Sequence, residues 1–132
     1  MKRLTLALAL LLLAASVAAE KVPFYTDGNE LFEDCRHYGA TPAEFDMRIV
    51  KSASCQAYVI GVFDAHEFLV LAMNTEPWIC VSDGVKAGQL VDIAVNYLRA
   101  HPEKRHLSAA QLVVSALEDA FPCTESEVGA DE

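Results

Sequence analysis

Basic residues are scarce in this sequence: ten Lys and Arg stand against 19 Asp and Glu in 132 residues, a formal net charge of −9. That balance argues against binders of nucleic acid and of anionic membrane surfaces, which need the opposite sign. Long apolar runs are also few. The one uncharged run of note, Leu4 to Ala19, falls short of the roughly 20 apolar residues that a membrane span requires. Cysteine never occurs as a close pair: Cys35, Cys55, Cys80 and Cys123 are 20, 25 and 43 residues apart. A structural zinc site draws its ligands from short-spaced pairs, so zinc is not expected. There is no internal repeat, no hairpin signal, no phosphate-binding glycine pattern and no nucleophile elbow.

Met1-Lys2-Arg3 is a basic start, the uncharged run follows it, and Val17-Ala18-Ala19 supplies small residues before a cleavage point. This is the plan of a secretory signal peptide over 1–19, cut after Ala19. No cysteine stands at the cut, since Cys35 is the first in the chain, so a lipid anchor is not expected. The remaining 113 residues carry eight bases against 19 acids, a net of −11. They are enough for one domain with a core of its own. The plan is a leader (1–19), one helical domain (20–123), and a tail (124–132) with four acids and no base, read as disordered. Four cysteines in a small exported chain read as two disulfides, for which sequence allows three connectivities.

The apolar spacings predict an all-α bundle of four main helices joined by short connections. Asn29 is read as the N-cap of a short helix to about residue 38, stopped by Gly39. Thr41-Pro42, with Glu44, reads as the next start. A long helix then runs to Met73, with Cys55, Val59, Val62, His66, Leu69 and Met73 on one face. It is apolar enough to be read as central and buried. Ser82 is read as the cap of a third helix carrying Val85, Leu90, Ile93, Ala94, Tyr97 and Leu98, and Pro102 turns the corner. The fourth helix carries Leu107, Ala110, Val114, Leu117 and Phe121, and Pro122 ends it.

Side chains that could carry chemistry have plainer roles at hand. His66 lies between Asp64 and Glu67, an acid–base or metal-ligand trio in composition, but no second histidine stands near it. It reads as a core histidine with one nitrogen satisfied. Asp64 should face a wet groove or bond a neighbouring amide or Tyr hydroxyl, the second being favoured. His37, His101 and His106 sit near helix ends, where a structural role suffices. Gly61 and Gly88, inside predicted helices, read as points of close helix approach. No catalytic residue, metal site or cofactor is expected, and the chain reads as a binding module rather than an enzyme.

The order Cys35, then Cys55 with Tyr58, Gly61 and Asp64, then Cys80 with Val85, Gln89, Tyr97-Leu98 and Pro102 carries a pattern. It closes on Ala110, Val113-Val114, Ala116-Leu117 and Ala120-Phe121-Pro122-Cys123. It resembles the Rap/Tai family, immunity proteins that neutralise amidase toxins of the type VI secretion system. The resemblance implies a small, helical, disulfide-bonded periplasmic protein that blocks a peptidoglycan-cleaving cysteine amidase by occluding its active site. It implies a protein partner, no nucleic acid and no membrane after leader cleavage; a homodimer is compatible with it. The matching positions look structural, and the partner-contacting residues are unknown at this level. The alternative is a periplasmic stress or chaperone-like binding protein without a toxin partner. Given the helix order, the expected pairing is Cys35–Cys55 within the first helical hairpin and Cys80–Cys123 across the open end of the second. The other two connectivities would tie the hairpins to each other.

Overall fold

A computed structural model describes residues 26–39 and 47–123. The leader with its cleavage point, the Thr41–Pro42 helix start and the acidic tail lie outside the described residues. Within them are four helices, α1 (Gly28–Cys35), α2 (Met47–Met73), α3 (Ala87–Ala100) and α4 (Ala109–Ala120), with a 3-10 turn over Pro102–Lys104 at the corner between α3 and α4. The all-α class is as expected. The extended pairing among the described residues is one isolated bridge, Asp27 with Ser108.

Asp27, not Asn29, caps α1. Its Oδ1 accepts from the amides of Asn29 (2.8 Å) and Glu30 (2.9 Å), and Glu30 Oε2 accepts from the Asp27 amide at 3.3 Å. This box needs a Glu or Gln three residues beyond the cap; Glu30 supplies it for Asp27, whereas Phe32 occupies that position for Asn29. The Asn29 side chain instead donates to the Arg105 carbonyl at 3.2 Å, fixing α1 to the α3–α4 corner. Gly28 leaves no room for a side chain there, since a Cβ would overlap Leu112 and lie 2.9 Å from the Arg105 backbone. The helix stops at Cys35, short of the expected 38, and the turn after it closes on Gly39 at φ +79°.

α3 begins at Ala87 rather than just after Ser82. Asp83 and Gly84 make a turn, with Gly84 at φ +87°. Gln89 starts the helix by accepting the Lys86 amide on its Oε1 at 2.8 Å. In α4 the expected stripe is rotated: the buried positions are Ala109, Leu112, Val113, Ala116 and Leu117, while Leu107 is 38% exposed. Two apolar stripes lie side by side on this helix, and the one that meets α3 wins.

The core gathers where all four helices meet. Val59 of α2, Val91 of α3, and Val113 and Leu117 of α4 are fully buried, with Leu31, Ile79, Leu90 and Leu98 around them. Both disulfides have the expected pairing: Cys35–Cys55 ties α1 to α2 and Cys80–Cys123 ties the strap before α3 to the end of α4, with Cα separations of 5.0 and 4.9 Å. The Cys80 amide also donates to the Phe121 carbonyl at 2.9 Å.

The expectation that α2 is central and buried fails over much of its length. Of its 27 residues, Cys55, Val59 and His66 are buried. Leu69 and Met73, placed on the buried stripe by their spacing, are 43% and 66% exposed. The cause is length. At about 1.5 Å per residue, α2 runs about 40 Å, twice the reach of α3 or α4, so its far end passes beyond anything able to cover it.

Candidate functional site

The sequence singled out Asp64, His66 and Glu67, and the helix does not assemble them. Asp64 is exposed and turned to water, the less favoured of its two expected settings. His66 is buried to 2% exposure, with Nδ1 3.0 Å from Glu67 Oε1 and Nε2 without a hydrogen-bond partner among the described residues. Trp78 meets the imidazole edge-on at 4.3 Å between ring centres, and Phe63 stacks at 6.1 Å. The ring is therefore a packed core histidine with one nitrogen satisfied. It holds the Trp78 strap against α2. Among the described residues no group of His, Cys, Asp and Glu could hold a metal ion.

The other singled-out residues spread over the bundle. Tyr58 is half-buried; burial pushes its hydroxyl above the ordinary tyrosine range, and the Ala110 backbone amide pulls partly back. Gly61 is exposed, and a Cβ there would meet nothing within 4 Å, so the helix contact expected of it is absent. Gly88 does mark a close approach: a Cβ there would be 3.1 Å from the Tyr38 hydroxyl. Gln89 starts α3, as above. Tyr97 accepts from Lys104 Nζ at 3.1 Å and tilts against His101 at 4.4 Å, with Pro102 opening the 3-10 turn between them. Pro122 lies exposed beyond α4.

Two surfaces have the character of a binding face. The first is a groove of about 530 Å³ between α1 and α2, lined by Thr26, Glu30, Glu33, Asp34, Ser54 and Tyr58. It is acidic but partly neutralised, since Arg36 pairs with Glu33 at 2.9 Å and Lys51 approaches Asp34 at 4.0 Å. The second was missed in the sequence because its residues read as core. It is the far end of α2 with the strap that follows: Phe68 (68% exposed), Leu71 (80%), Met73, Leu69 and Trp78. Scattered exposed apolar side chains are ordinary, whereas a cluster of five large ones marks an interaction surface. A signal for it was available: the apolar patterns of α3 and α4 are about half as long as that of α2. By length and composition alone α2 could cross a membrane, but it is disulfide-tied to α1 and packs against α3 and α4.

No curated protein matches this chain. A family model described as Rap1a immunity proteins matches residues 27–123. The match begins at the Asp27 cap, ends at the Cys123 disulfide, and takes in every helix described above. The chain belongs to the Rap1a immunity protein family.

Proposed function

We propose that this chain is a periplasmic immunity protein that neutralises a peptidoglycan amidase delivered by the type VI secretion system, by covering the amidase active-site cleft. The observation that carries the reading is the family match over the whole disulfide-bonded bundle. Three features support it. Two disulfides suit an oxidising compartment. Among the described residues those with catalytic potential are scattered, which supports action by binding. A strongly acidic chain speeds its encounter with a basic enzyme. In this reading the leader over 1–19 is removed after Ala19, 20–123 is the immunity domain, and the acidic stretch 124–132 stays outside the fold.

The test is turnover of purified peptidoglycan by the exported amidase encoded beside this chain's gene, with and without the mature protein. Full inhibition at a one-to-one ratio is expected. An amidase that keeps its activity under saturating protein would sink the reading. The exposed apolar end of α2 also suits a stress-protective binder of unfolded chains. Suppression of aggregation of unrelated denatured proteins, without any effect on the amidase, would establish that reading instead.

A further inference from the structure

Beyond His66 the character of α2 changes. Val70 is half-covered; Leu71, Ala72 and Met73, which point to different sides of the last turn, are all exposed, as are residues 74–76 just beyond it. The segment is therefore a projecting knob rather than one uncovered face. It is also held ready. The Thr75 amide donates to the Val70 carbonyl at 3.2 Å and the Asn74 amide to the Leu71 carbonyl at 3.4 Å, with Asn74 at φ +49°. That is the paired C-terminal cap of a helix closed by a left-handed residue. The strap behind it is fixed where Trp78 abuts His66 and Cys80 is bonded to Cys123. A preformed knob loses little freedom when it binds.

Its charge is one-signed. From residue 52 to residue 85 there is no Lys or Arg, while Asp64, Glu67, Glu76 and Asp83 fall in that stretch. The carbonyl end of α2 adds the negative end of the helix dipole. No charged residue lies between Glu67 and Glu76. The knob is thus apolar at its centre and acidic at its rim. A second copy would bring the same acids face to face, and an anionic bilayer would repel them. Clefts are concave and mostly apolar, and one rimmed by basic groups is complementary to this shape and sign.

We propose that the end of α2, carrying Phe68, Leu71 and Met73 with Glu67 and Glu76 beside them, is the plug by which this protein enters an apolar, basic-rimmed cleft of its protein partner. This rests on the proposed function and names the inhibitory element: the partner is the amidase, and the plug fills the cleft that would take an acidic stem peptide.

The experiment is calorimetric titration of the mature chain against the amidase encoded beside its gene. Phe68→Ser/Leu71→Ser removes apolar area without changing charge, and both side chains are already mostly in water, so the fold and both disulfides should survive; circular dichroism and non-reducing mass analysis check this. Binding should weaken at least about 30-fold, the scale of an interface hot spot. Leu71→Met alone, which keeps an apolar side chain at that position, should bind like the wild type. Glu33→Ala, in the α1–α2 groove, should change binding less than about threefold, as a near-neutral contact would. Glu67→Gln/Glu76→Gln should slow association and flatten its salt dependence. Wild-type binding with an unchanged constant for Phe68→Ser/Leu71→Ser would overturn the plug and leave the immunity function standing. So would a double variant that only dissolves a dimer in light scattering, or only loses binding to phosphatidylglycerol vesicles, with its hold on the amidase intact. Wild-type protein that neither binds nor slows the amidase removes the function and the plug with it.

Discussion

The middle of α2 and its far end live in different solvents. Around Cys55 and Val59 every side of the contact is protein: α1 is bonded through Cys35, and α3 and α4 close over the rest. Four turns on, Phe68, Leu71 and Met73 are as apolar as anything in that core and stand in water. Composition does not separate the two regions; the length of their neighbours does. In the first, apolar side chains hold the fold together. In the second they do nothing for it, and that leaves them free to serve a partner.

The contrast makes substitutions of similar chemistry differ widely in effect. The largest is expected at the disulfide that closes the second hairpin. Cys80→Ser/Cys123→Ser opens a 43-residue ring and should lower the unfolding free energy by roughly 4 kcal/mol on loop-closure entropy, measured by guanidinium denaturation. Next comes Leu98→Ala, at 1% exposure, which should cost about 3 kcal/mol by lost burial and a residual cavity. If Leu98→Ala proves no worse than Leu71→Ala in the same titration, the division into packed and unpacked regions is wrong. Asp27→Ala removes the acceptor that caps α1 and should cost about 1 kcal/mol, read as a small fall in thermal midpoint. Smallest is Leu71→Ser, at 80% exposure, with a change within about 0.5 kcal/mol. A loss of 2 kcal/mol or more there would mean that something covers the knob in the free protein.

The number, order and pairing of the helices were legible because periodicity and helix order are local facts. Once Pro102 sets a tight corner, Cys80 and Cys123 have to face each other. Boundaries were legible only where one residue type had one use. Asn29 and Ser82 are both good caps by type, yet Asp27 wins through Glu30, and Ser82 is overruled by the Asp83–Gly84 turn. The phase of the α4 stripe and the bareness of Leu69 and Met73 were not legible. Each depends on whether a neighbour is present at that height in the bundle, and a spacing of three and four cannot report that. For the same reason the binding surface hid among the predicted core positions. Hydropathy measures how badly a side chain wants cover, not whether it has any.

The two disulfides close rings over 35–55 and 80–123, and these rings neither overlap nor enclose one another. The stretch from 56 to 79, most of α2 and the strap, is spanned by no crosslink. A single backbone cut in the bare segment 74–76 would therefore split the oxidised chain into two pieces with no covalent bond between them, each still carrying its own closed ring. Cys35–Cys55 would keep α1 on what remains of α2, and Cys80–Cys123 would keep α3 and α4 together. The place where the molecule reaches furthest towards a partner is thus also where a protease, with one cut, would leave its two halves joined by packing alone.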